Sequence, residues 1–126
     1  MASLITTLEV LQKQPAPLFY TAGQVIFAQG EPSDVMYGIL NGEVDLIFHG
    51  QTVETLTAGD VFGIAALVEE RPRTYTAITK TDCHIVTLDE QHFLFAVQEL
   101  PMFALEVMQS YVTRLEQLWA IEEGTS

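Results

Sequence analysis

Asp60-Val61-Phe62-Gly63-Ile64-Ala65-Ala66-Leu67-Val68-Glu69-Glu70-Arg71-Pro72-Arg73-Thr74-Tyr75 changes character three times within one short stretch. It opens as the end of a strand, bends through Gly63, passes into a single helical turn at Ala65 to Val68, and closes on two arginines that flank Pro72. The first N–H groups of a helical turn have no partner inside the helix, so an anion placed there accepts from them. A guanidinium offers phosphate two parallel hydrogen bonds, and Arg71 and Arg73 are two of the chain's three arginines. Thr74 adds a hydroxyl. The alternative is that the arginines only balance Glu69 and Glu70 on an exposed loop, as adjacent opposite charges usually do.

Upstream and downstream of this stretch the chain reads as short strands. Gln24 to Ala28, Val35 to Leu40, Val44 to Phe48, Val53 to Leu56, Tyr75 to Thr79 and His84 to Leu88 are apolar runs separated by glycine-bearing turns. Ala22-Gly23-Gln24-Val25, Asn41-Gly42-Glu43-Val44 and Ala58-Gly59-Asp60-Val61 share one form, with the glycines 19 and 17 residues apart. That spacing is too irregular for a solenoid, but each glycine supplies the positive φ of a turn between strands. Many short strands of this kind imply an antiparallel sandwich or jelly-roll barrel.

Helical patterns stand at both ends. Residues 3–13 put Leu4, Ile5, Leu8 and Leu11 on one face, with Thr6 and Glu9 at capping-box spacing, and Pro15 and Pro17 stop the helix. After Asp89 a helical period returns through Phe93, Leu94 and Val97, and Pro101 opens a last helix to about Glu122. On that helix Leu105, Met108, Val112, Leu115 and Trp119 fall at steps of 3 and 4, a heptad seam. The seam either packs on the barrel or faces a second subunit while Phe103, Val107, Tyr111 and Leu118 cover the barrel. The expected organisation is one domain over 1–126, with an N-terminal helix and linker at 1–17, β structure at 18–88 and C-terminal helices at 89–123.

Composition narrows the function. The 126 residues carry 17 acidic and 5 basic side chains, a formal net charge of −12, which argues against generic affinity for nucleic acid or anionic membrane. No apolar run approaches a membrane span, and Met1-Ala2-Ser3-Leu4 lacks the basic region of a secretory signal. The single Cys83 forms no internal disulfide and fits a reducing compartment, so a cytoplasmic protein is expected. The seven residues after Trp119 leave no room for a helix-turn-helix within this sequence. His49, His84 and His92 lack neighbours at ligand spacing, and Cys83 and His84 on one strand point to opposite faces. No metal site, cofactor or enzymatic activity is expected.

The order of glycine turns, the Phe62-Gly63 start, the apolar helical turn and the Pro72-Arg73-Thr74 close resemble the phosphate-binding cassette of cyclic-nucleotide-binding domains. The resemblance extends over Gly23 with Ile26, Gly30-Glu31-Pro32-Ser33-Asp34, Tyr37 to Val44, Gly59 to Gly63 and Val86-Thr87-Leu88. It implies an eight-stranded antiparallel jelly roll flanked by an N-terminal helix and two C-terminal helices, the last long. It also implies a ligand such as cyclic AMP or cyclic GMP. Carried over by position, Arg73 pairs with the cyclic phosphate, Thr74 stands where bacterial members often have a phosphate-contacting serine, and Gly63, Ala65 and Ala66 present backbone N–H groups.

One position departs from the family. Ile64 stands where the family has a glutamate that accepts from the ribose 2′-hydroxyl, and an isoleucine accepts nothing. Losing a bond to a charged acceptor costs on the order of 1.5–3 kcal/mol. Trp119 and Leu118 replace a hydroxyl pair that contacts the base in the catabolite activator protein; Trp119 either stacks on a purine or serves as an apolar anchor. The expected function is therefore a non-enzymatic sensor of a cyclic nucleotide or another small phosphorylated ligand that signals through the C-terminal helix. The alternative is a degenerate member acting as a homodimerising module for an unidentified protein partner.

Overall fold

The computed structural model describes residues 5–69 and 72–125, so Arg71 and Glu70 lie outside the described residues, as do the first four positions. The chain runs α1 (Ile5–Gln12), β1 (Leu18–Tyr20), β2 (Val25–Phe27), β3 (Met36–Asn41), β4 (Val44–Phe48), β5 (Gln51–Leu56), β6 (Val61–Phe62), α2 (Ala65–Val68), β7 (Thr76–Thr79), β8 (Cys83–Leu88), α3 (Glu90–Glu99) and α4 (Met102–Thr125). The eight strands form two four-stranded sheets, β1-β8-β3-β6 and β2-β7-β4-β5, with antiparallel pairing throughout. This is the jelly roll expected from the sequence, with helices at both ends and the last one long.

The strands follow from alternation. In β4, Val44, Leu46 and Phe48 are buried while Asp45 and Ile47 are less so, the period of two that a half-buried strand requires. β4 turns into β5 at His49-Gly50, both with positive φ, and Phe48 pairs with Gln51 across them. Two successive positive φ values make a tight hairpin turn whose twist suits antiparallel strands. β5 consequently begins at Gln51, two residues before the apolar run that announces it, because polar Gln51 and Thr52 sit on the exposed flank of the hairpin.

Two buried clusters result. One, inside the barrel, joins Phe27, Ile39, Leu46, Leu56, Phe62 and Ile85 and is closed at one end by Leu118 of α4. The other joins Val10 and Leu11 of α1 to Met36, Val61, Val86, Leu88, Phe103 and Val107. Burying a side chain such as Phe103 completely is worth roughly 1.5–3 kcal/mol, so both terminal helices are held by core contacts. A polar link adds to this: Thr7 donates from its backbone N–H and its hydroxyl to Glu106 Oε1, at 2.9 and 2.6 Å, and both residues are buried. Thr6 and Glu9, at capping-box spacing, both lie within α1 rather than at its edge.

α4 sorts its two faces. Phe103, Val107 and Leu118 are buried against the barrel, whereas Leu105, Met108, Val112 and Trp119 of the seam stand more than half exposed. Leu115 is half-buried. Asp89 caps α3, its side chain accepting from the His92 N–H. No helix among the described residues is long and apolar enough to cross a membrane.

Candidate functional site

A cavity of about 120 Å³ lies between the 63–75 segment and α4. One wall is Gly63, Ile64, Ala65 and Ala66, a second is Pro72, Arg73, Thr74 and Tyr75, and the third is Tyr111, Arg114, Leu115 and Leu118 of α4. β6 ends at Phe62, and Gly63 with φ +75 turns the chain into α2, a conformation that costs a residue with a side chain about 1–2 kcal/mol. On an apolar flank of α2, a groove of about 340 Å³ runs on between α3 and α4 and shares Ile64, Val68 and Tyr111 with the cavity.

Arg73 is buried, its guanidinium donating to the Gly63 carbonyl at 3.2 Å and the Val35 carbonyl at 2.8 Å. Its carbon centre lies 4.3 Å from the Phe27 ring and 5.3 Å from that of Tyr37, within cation–π range of both. Phe27, Tyr37, Phe62 and Tyr75 form the aromatic cluster around it. The backbone is pinned too, since Arg73 N–H donates to Glu31 and its carbonyl accepts from Gly30 N–H. What remains unmet is Nε, buried without an acceptor. Among the described residues Arg114 pairs with Glu54 and the His92 ring bonds Asp89, and Arg73 carries its charge inward without a carboxylate.

The other expected phosphate contacts are brought to the same cavity but are not equally free. Gly63 N–H donates to the Tyr75 hydroxyl at 2.8 Å, and Ala66 N–H makes a long bond of 3.3 Å to the Gly63 carbonyl. Those two amides are therefore engaged, because the turn closes on itself, and the Ala65 amide is the one of the three with no acceptor among the described residues. Thr74 is exposed at the cavity rim. Ile64 lines the cavity and is 6% exposed, so the departure from the expected pattern faces the cavity. Trp119, expected as a base contact, is 59% exposed and is absent from the walls; Leu118 takes that place, since neighbours on a helix point about 100° apart.

Arg114 escaped the sequence reading, which sorted α4 by its apolar residues alone. Its Nε donates to Glu54 Oε1 of β5 at 3.1 Å, and its Nη2 to the Val61 carbonyl at 3.1 Å and Ser110 Oγ at 3.2 Å. The side chain is 3% exposed and that of Glu54 24%. Tyr75, buried against these groups, has its phenol held above the ordinary tyrosine range by burial, an effect that Arg114 and Arg73 oppose. The cavity thus combines apolar walls from Ile64, Leu115 and Leu118 with two guanidiniums, Arg73 and Arg114, and the carboxylate of Glu69 at its lining. Among the described residues no three His, Cys, Asp or Glu are grouped to hold a metal ion.

Comparison with known proteins agrees on the family. The sequence pattern described as Cyclic nucleotide-binding domain matches residues 17–99. Human Rap guanine nucleotide exchange factor 3 is 43% identical over 74 residues, 57% of this chain and 8% of that protein. The cAMP-dependent protein kinase regulatory subunit of Aspergillus niger is 36% identical over 76 residues, 59% of this chain and 18% of that protein. The chain therefore spans less than a fifth of either curated relative. In fold it is similar to the Thermus thermophilus catabolite activator protein, with a TM-score of 0.72 at 24% identity, over 93% of this chain and 55% of that one. With the matched residues covering the barrel, the 63–75 segment and α3, this chain belongs to the cyclic nucleotide-binding domain family.

Proposed function

We propose that residues 1–126 act as one non-enzymatic sensor unit that binds a cyclic nucleotide, cyclic AMP or cyclic GMP, in the cavity at 63–75 and signals through α4. The observation that carries this reading is the buried Arg73 guanidinium, which has an unpartnered Nε and no carboxylate among the described residues. A buried cation in that state is costly unless an anion joins it. Phosphate at Arg73, Thr74 and the Ala65 amide supplies the anion, and Ile64, Leu115 and Leu118 give the remainder of the ligand an apolar wall. Because α4 forms the third wall, a ligand that fits one helix position better than another shifts the population of that helix. The exposed seam of Leu105, Met108, Val112 and Trp119 then serves as the face for a second copy of the chain in the cytoplasm.

Calorimetric titration with cyclic AMP and cyclic GMP tests the reading. Binding to the wild type that disappears in Arg73→Met supports it, and no heat at millimolar ligand excludes cyclic nucleotides. The second reading, a dimerising interaction module that binds no nucleotide, is favoured by Ile64 on the cavity wall. It expects Arg73→Met to leave partner binding unchanged.

A further inference from the structure

Arg114 of α4 and Arg73 both bond the backbone at the end of β6. Arg114 Nη2 donates to the carbonyl of Val61 and Arg73 Nη1 to that of Gly63, so the two guanidiniums hold carbonyls on either side of Phe62. Both side chains line one cavity, and both lower the cost of charge on the buried Tyr75. Their circumstances differ. Arg73 has no carboxylate, whereas Arg114 is paired with Glu54, whose side chain is 24% exposed and does not line the cavity. Arg114 Nη1 has no acceptor among the described residues.

From this placement we infer that Arg114 is a second contact for the ligand's anionic group, and that Glu54 on β5 competes with the ligand for it. The inference deepens the proposed function and rests on it. An anion entering beside Arg73 meets a second cation that already lines its space. A charge-assisted bond to a guanidinium in a site shielded from water is stronger than one shared with a partly solvated carboxylate. The exchange costs little on the β5 side, because the exposed part of Glu54 returns to water. Its consequence falls on α4. Among the described residues the Glu54 pair is the polar side-chain link from α4 to β5, beside the apolar packing of Leu118 in the cluster of Leu56, so giving it up loosens that part of the helix from the sheet while the ligand holds it from the cavity. The ligand thereby gains the differential affinity for two helix positions that a signal requires.

The two partners should shift ligand affinity in opposite directions, which no purely structural role of an ion pair produces. Cyclic AMP and cyclic GMP are titrated into wild type, Arg114→Gln, Arg114→Lys, Glu54→Gln and Arg73→Met, with thermal melts confirming that each is folded. Binding is read by calorimetry and by the emission of Trp119, the chain's one tryptophan, excited beyond nucleotide absorption. The expected result is affinity weakened about 10- to 100-fold in Arg114→Gln. Glu54→Gln should tighten it about 3- to 10-fold, with a smaller ligand-induced change in Trp119 emission because the tie is already gone. Arg114→Lys should fall between wild type and Arg114→Gln. If Arg114→Gln and Glu54→Gln both weaken binding, or both leave it unchanged while Arg73→Met abolishes it, the competition is wrong although the nucleotide reading stands. If the folded wild type binds neither nucleotide at millimolar concentration, the nucleotide reading falls and this inference with it.

Discussion

Arg73 and Gly63 are fitted to each other: Nη1 of the arginine donates to the glycine carbonyl, and a methyl group added at Gly63 would stand 2.6 Å from that same Nη1. The glycine therefore serves twice, once for its φ of +75 and once for the space the guanidinium fills. Arg73 is too deeply buried and too well hydrogen bonded to yield that space freely. Gly63→Ala should cost about 2–5 kcal/mol, the sum of about 1–2 from left-handed strain and about 1–3 from the displaced guanidinium. A melting temperature lowered by about 4 °C or more in thermal denaturation is the expected outcome. A melting temperature equal to wild type would mean that the contact is loose.

Gly38 of β3 meets α1 in a comparable way, since a Cβ there would collide with Leu11 Cδ2, and Leu11 is completely buried. Gly38→Ala alone should destabilise by about 1–3 kcal/mol through overpacking. In a Leu11→Ala background, where room has been made, the same change should cost much less. Chemical denaturation of the two single variants and the double variant measures this coupling, and additive effects would contradict it.

At Asp89 the carboxylate is held below the ordinary carboxylate range, first by the His92 backbone N–H it accepts and then by the His92 ring. A lowered folded-state pKa means that the contribution is fully present above the unfolded value and is lost as pH falls through the folded one. The start of α3 should accordingly fray on the acid side of that range and not near neutrality. Amide exchange at Glu90 to Phe93 as a function of pH checks this. Asp89→Ala should exchange quickly there at every pH and show a flatter acid response.

The exposed seam makes a prediction about assembly. Met108→Glu together with Val112→Glu places two charges at the centre of a face whose apolar neighbours are Leu105 and Trp119. The pair should convert a dimer to a monomer in light scattering while leaving the melting temperature of the monomer nearly unchanged, because both positions are more than half exposed. A wild-type protein that stays monomeric at high concentration removes the dimer.

What was legible in the sequence was the part written in short-range pattern. Val44 to Phe48 was read to the residue because alternation and a glycine on either side bound it. β1 and the start of β5 were not resolved, since Leu18–Tyr20 is a largely exposed strand and Gln51-Thr52 is polar, so neither shows a buried face. The cassette residues were brought to one cavity because they are neighbours in the chain. The Glu54–Arg114 pair spans 60 positions and joins residue types common on any surface, so no local pattern announces it. The engagement of the Gly63 and Ala66 amides depends on how tightly a four-residue turn closes, which spacing alone does not specify.

The link between Thr7 and Glu106 sets the mechanics of any motion that reaches α4. One carboxylate oxygen takes both donors of a single residue, so rolling α4 in place would strip two buried bonds in the same instant. Tilting or sliding with α1 in tow keeps both. α1 and α4 are thus coupled as one lever resting on the barrel, and a displacement felt at Glu106 is delivered to Thr7, 99 positions away, without passing through a strand.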